Sequence, residues 1–202
     1  GFLNSLPGPV TGMRAAAFDT RMPPKWVKLF GFAADRIAGA LRGKGWTVEF
    51  VQLSTHSGTH LDAPWHYHPT MSGGVKALTI DEVPLEWCAG RGVKLDFRHY
   101  PDGHQVTSAE MEAAFAKIGH VPAEGDIVLV NTGADKWWGK PEYLMKGCGM
   151  GREATLWLLD RGVKVVGTDA WSWDRPLPFT AGEFQKHGDP SIIWEGHFAG
   201  IE

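Results

Sequence analysis

Residues 126–131 read Asp-Ile-Val-Leu-Val-Asn, an unbroken apolar run closed by a polar residue at each end. A short run of this kind, rich in β-branched residues, is a buried-type strand, and it sets the terms for the rest of the chain. Helical patterns stand on both sides of it. Thr107 and Glu110 form a capping box before a helix over about 108–118, which Gly119 ends. Gly151 opens another helix that runs to Arg161, and Gly162 stops it. Residues 47–53, 92–97, 163–168 and 191–194 read as further strands, and a turn of helix fits 81–87. Strands alternating with helices define the α/β class. Some strands follow one another without a helix between them, so a mixed sheet is expected.

The first 24 residues carry Pro7, Pro9, Pro23 and Pro24 with little periodicity, and read as an irregular arm. Residues 25–202 then form a single domain. Proline suits a first helical turn, so Pro24 opens a helix over about 24–42. Trp26, Val27, Phe30, Ala33, Ile37, Ala40 and Leu41 give it an apolar stripe, and Gly43 and Gly45 end it. Thr180 and Glu183 fit a second capping box, for a short helix ending at Gly188. The stretch Gly147–Gly151 lacks the spacing of a dinucleotide loop. It reads as a tight glycine turn, or as a helix start that attracts an anion.

Composition excludes several classes. Twenty basic against 23 acidic residues give a net charge of −3, and no basic run suggests a nucleic-acid surface. No apolar run approaches the roughly 20 residues of a membrane span, and residues 1–14 do not read as a signal peptide. A cytoplasmic protein is expected. Two cysteines, Cys88 and Cys148, are too few for a disulfide framework and read as inert thiols.

Four of the nine histidines fall between 56 and 68, in the stretch Ser-Thr-His-Ser-Gly-Thr-His-Leu-Asp-Ala-Pro-Trp-His-Tyr-His-Pro at 54–69. The Ser, Thr and Gly around His56 and His60 disfavour a helix. In extended chain His56, Gly58, His60, Asp62, Pro64 and His66 share one face. Straight chain would hold residues 56 and 60 about 13 Å apart, at roughly 3.3 Å per residue. One metal ion could not bridge that gap, so the chain must bend, and Gly58 is where it can. Two imidazoles and a carboxylate, His56, His60 and Asp62, suit one Zn²⁺ or Mn²⁺ with positions left open. His66 lies four residues beyond the carboxylate as a general acid/base. His68 reads as structural, or as part of the rim.

Residues 56–66, His-Ser-Gly-Thr-His-Leu-Asp-Ala-Pro-Trp-His, resemble the H-x-G-T-H-x-D-x-P-x-H signature of the metal-dependent cyclase family at every fixed position. Stretches 79–88, 93–99, 149–159, 167–176 and 192–200 also look like that family, so the resemblance spans about residue 47 to the end. It implies a swivelling β/β/α-type fold and a homodimer or homotetramer. It implies hydrolysis of a small cyclic or N-acyl aromatic amide, as in isatin hydrolase or kynurenine formamidase. His56, His60 and Asp62 would bind the metal and His66 would shuttle the proton. The tryptophan-rich stretches look more like the isatin hydrolase branch. Trp65, Trp171 and Trp173 could wall an aromatic pocket, with core packing the default for each. In formamidases a His and a Glu near the C-terminus hold a second metal. Glu195 resembles that Glu, but Glu183 stands where the His would be, so one metal is preferred. Glu195 and His197 are two apart, so in a strand they would share a face, and they could serve a second metal or the substrate. Two other classes fit the same residues: a cyclase or dehydratase acting on a small carbonyl compound, and a metal-bearing binding protein for a small acid. Measured against the resemblance, no strand like the family's first and no C-terminal extension are read, so either a shortened form or a partial sequence is expected.

Overall fold

A computed structural model describes residues 15–17, 33–50, 56 and 58–201. The chain forms two compact units, Gly1–Leu61 and Asp62–Glu202. In the first, β1 (Ala15–Ala17) pairs in parallel with β2 (Val48–Phe50), Ala15 opposite Val48. Between them in sequence runs α1 (Ala33–Gly43), which buries Ala38 and Leu41. The chain leaves α1 through Gly45, whose N–H bonds to Arg42 O, and Trp46 N–H reaches back to Leu41 O. The expected helix is thus present from Ala33, one residue longer than anticipated at its end. Its first part, with Trp26 and Phe30, lies outside the described residues, as do positions 51–53; of the arm read as irregular over 1–24, the described residues Ala15–Ala17 are strand β1, which corrects that reading.

The second unit begins with a helical turn, α2 (Pro64–Tyr67), and a hairpin of β3 (Thr70–Met71) and β4 (Val75–Lys76). Then come β5 (Arg91–Asp96), β6 (Gln105–Val106), α3 (Ser108–Lys117), β7 (Asp126–Asn131) and β8 (Gly149–Met150). The unit closes with α4 (Arg152–Leu159), β9 (Val165–Thr168), α5 (Leu177–His187) and α6 (Glu195–Phe198). Strands β5, β7 and β9 form one parallel sheet in that order, with Val93 opposite Val128 and Val128 opposite Val166. β6 and β8 form a separate parallel pair. The α/β class holds, with parallel and antiparallel pairings both present.

Met111 and Phe115 of α3 and Ala154 and Leu158 of α4 meet Val93, Leu95, Val128 and Val130 of the sheet in one core. Phe97, Val106, Cys148, Met150, Val163 and Trp173 complete it. Each large side chain sealed there contributes about 1.5–3 kcal/mol. The capping box that starts α3 forms as the sequence indicates. Thr107 Oγ1 accepts from Glu110 N–H at 3.2 Å, and the Glu110 carboxylate accepts from Thr107 N–H at 2.8 Å.

Several expectations are corrected. Strand β7 is not buried on both faces: Val128 and Val130 face the core, while Leu129 is 46% exposed on the other side. Residues 191–194 are not a strand. Asp189 caps a 3₁₀ turn at Pro190–Ile192, and Trp194 turns into the left-handed region at φ 61. Glu195 and His197 therefore sit on a short helix, not side by side on a strand. Thr180 and Glu183 are no cap, because α5 begins earlier, at Leu177 with Pro178 in its first turn, and leaves both in its interior; the helix does end at Gly188. The Gly147–Gly151 stretch is not simply a turn, since Gly149 and Met150 pair with Gln105 and Val106. The turn of helix anticipated at 81–87 falls at Leu85–Cys88.

Candidate functional site

His56 and His60 belong to the first unit. Gly58, between them in sequence, has φ 72, and a side chain there would be strained although nothing crowds the space. His56 Nδ1 lies 3.3 Å from His60 Nε2. The other nitrogen of His60, Nδ1, is 2.8 Å from Gly58 O. A carbonyl only accepts, so Nδ1 carries the proton and the neutral ring keeps its Nε2 lone pair. A backbone bond that fixes the tautomer in this way is characteristic of metal-ligating histidines. Two nitrogens bound at about 2.0–2.1 Å to one tetrahedral ion lie roughly 3.3–3.4 Å apart. The pair already has that separation.

Asp62, His66 and Tyr67 belong to the second unit. The extended reading of this segment is corrected here. Pro64 occupies the first turn of α2, and the turn brings His66 Nδ1 within 3.9 Å of Asp62 Oδ1. Tyr67, which the sequence reading did not single out, packs edge-on to His66 with ring centroids 5.0 Å apart. Burial, then the charges of Asp62 and Asp174, push its hydroxyl up to about 12, so it stays a hydrogen-bond donor at neutral pH. His68 Nδ1 accepts from Thr70 N–H and the Thr70 hydroxyl.

His197 stands 5.7 Å from His66 and 5.0 Å from Tyr67, ring to ring. Its Nδ1 donates to the buried carboxylate of Asp174, which also accepts from Gly196 N–H at 2.7 Å and His197 N–H at 3.0 Å. Trp194 packs edge-on to His197 at 4.5 Å, and Trp171 lies 6.3 Å from Trp194. Neither Asp174 nor Trp194 was among the candidate residues. Asp174 pairs with a histidine 23 residues away, so no local spacing could reveal it. Glu195 is held by the side-chain amide of Gln105, and Glu183 by Arg175 in a two-pronged pair. Of the candidate pocket residues, Trp65 and Trp171 are both 48% exposed, while Trp173 is in the core with its indole N–H on Thr155 Oγ1. Cys88 is exposed and Cys148 buried, and burial pushes the Cys148 thiol up to about 12.

Residues 14–175 match the Cyclase family model, and the chain belongs to that family. Among known proteins it is similar to a kynurenine formamidase of Erythrobacter litoralis (strain HTCC2594), 30% identical over 153 residues, covering 75% of this chain and 62% of that one. It is also similar to cyclase-like protein 3 of Oryza sativa subsp. japonica, 30% identical over 124 residues, covering 59% and 42%. The chain thus spans less than two thirds of either relative. Among solved structures, an isatin hydrolase bound to the product analogue thioisatinate superposes with a TM-score of 0.55 at 21% identity, covering 72% of this chain and 57% of that one. The fold is that of the cyclase-like hydrolases. Among the described residues no helix is long and apolar enough to cross a membrane.

Proposed function

We propose that this protein is a metal-dependent hydrolase of a small cyclic or N-acyl aromatic amide, using one divalent ion, Mn²⁺ or Zn²⁺. The observation that carries the reading is the His56–His60 pair, its facing nitrogens 3.3 Å apart and one ring locked by Gly58 O. Asp62 is the third ligand. A bound divalent ion supplies Lewis acidity, polarising a carbonyl and lowering the pKa of water to about 7. The chain's own residues do the rest. His66, beside Asp62, takes a proton from the attacking water and delivers it to the leaving nitrogen. Trp65 and Trp171, both exposed, offer aromatic faces to an aromatic substrate. Glu183 and Glu195 are engaged by Arg175 and Gln105, which favours one metal over two. Family membership and the likeness to a kynurenine formamidase support the amide as substrate class. The reading includes a cytoplasmic location and a homodimer or homotetramer, the latter read by sedimentation.

The test is elemental analysis joined to hydrolysis of isatin and N-formylkynurenine. His60→Ala should lose most of its metal. His66→Ala should keep the metal and lose about 10²–10⁴ in rate. A His60→Ala protein with a full metal complement, or a His66→Ala protein of near-normal rate, refutes the assignment.

A further inference from the structure

His197 is held more tightly than a packing residue needs. Asp174, buried beneath α6, takes its Nδ1 proton and two backbone N–H groups of the same turn. Gly196 lets the turn sit that close: a Cβ there would lie 2.9 Å from Met150 O and 3.1 Å from Asp174 Oδ2. Trp194 adopts a left-handed backbone, φ 61 and ψ 38, and from it sets its ring against the imidazole at 4.5 Å. A non-glycine residue in that region is strained, and such strain persists where the surroundings over-determine it. A carboxylate only accepts, so the proton of neutral His197 is on Nδ1 and the lone pair is on Nε2. Among the described residues Nε2 has no hydrogen-bond partner, and it is not among the side-chain atoms sealed from solvent without one. The ring packs beside His66, the proposed proton shuttle, and Tyr67.

We infer that Asp174 and His197 recognise the N–H of the amide to be cleaved: Asp174 fixes the proton on Nδ1, and Nε2 accepts a hydrogen bond from the substrate nitrogen. This deepens, and rests on, the hydrolase reading. It names the substrate class more narrowly, as secondary amides and lactams that keep their N–H. His197 contacts the substrate; Asp174 is a positioning residue. A nitrogen held through its N–H is also oriented, so that His66 can protonate it from another side as the C–N bond opens.

The experiment compares isatin with N-methylisatin, which cannot offer the N–H, on the metal-loaded protein. Asn at 197 can replace Nδ1 but does not reach as far as Nε2, whereas Gln can place an acceptor near Nε2. The preference for isatin, as a ratio of kcat/KM values, should fall about tenfold in His197→Asn, the effect of one hydrogen bond. It should stay within about threefold in His197→Gln. In Asp174→Asn the new amide can donate to Nδ1 and drive the proton to Nε2, so the preference should fall as in His197→Asn. If His197→Asn keeps the wild-type preference, the imidazole merely braces Asp174 and the inference is overturned. If the wild-type protein carries metal but cleaves no amide tested, the hydrolase reading fails by itself. Long-range ¹H–¹⁵N spectra of the zinc-loaded wild-type protein then decide the pair. A proton on Nδ1 of neutral His197 upholds it, and a proton on Nε2 overturns it.

Discussion

Replacing Asp169 with Asn changes one atom's chemistry and nothing in size, yet the structure assigns it a large cost. Asp169 follows β9 and ties its end to that of β7. One oxygen accepts from Thr132 N–H at 2.7 Å and the Thr132 hydroxyl at 2.8 Å. The other accepts from Gly133 N–H at 2.8 Å and the Asn131 amide at 2.9 Å. An asparagine must point its NH₂ at one of these two pairs of donors. Turned toward Thr132 it does less harm, because the hydroxyl can rotate to accept, leaving only Thr132 N–H opposed. That unsatisfied group costs about 2 kcal/mol. The two bonds kept by the remaining oxygen lose their charge assistance, about 1 kcal/mol each. The sum, about 4 kcal/mol, corresponds to a fall in Tm of about 10 °C for a chain of this size. Burial raises the Asp169 carboxyl, but the bonds from Thr132 and Gly133 outweigh it and hold the group below the usual range. Its folded pKa is therefore depressed. The stabilisation is complete above the unfolded value of about 3.9 and is lost as pH falls through the lower folded one. Thermal unfolding followed by tryptophan fluorescence should show the gap between wild type and Asp169→Asn at pH 7, shrinking below about pH 4. A gap under about 1 kcal/mol at pH 7, or one that does not change in acid, would refute the reasoning.

Two further substitutions test other parts of the structure. Gly58→Val touches no proposed ligand, yet the position requires φ 72, so the variant should bind zinc more weakly in a competition titration; unchanged affinity would show that the bend is not needed. Thr107→Ala removes one half of the capping box and should cost about 1 kcal/mol in urea unfolding, with metal content unaltered.

What could be read from the sequence was local. The capping box of α3 needs only Thr107 and Glu110, three residues apart, and β7 announces itself through consecutive apolar residues. The positive φ at Gly58 agrees with an expectation drawn from distance alone, since side chains four residues apart on straight chain cannot reach one ion. Local signals failed where a distant partner or a nearby proline intervened. Thr180 and Glu183 have the spacing of a cap, but the helix is already under way from Leu177 and Pro178, and Arg175 takes the carboxylate. Ile192, Ile193 and Trp194 have strand composition, but Asp189 winds the chain into a 3₁₀ turn before them. Asp174 gains its meaning only from His197, 23 residues further on, so no window of sequence could have shown it.

The close seat of Gly196 bears on how such a protein can diverge. A Cβ there would lie 2.9 Å from a backbone carbonyl, which cannot yield cheaply, and 3.1 Å from a buried carboxylate, which would have to give way. The positions on either side of that turn, Trp194 and His197, point their rings at one another. New preferences would then arise by exchanging these two side chains around a point that must stay fixed. A lineage could explore many ligands this way while keeping the backbone beneath them unchanged.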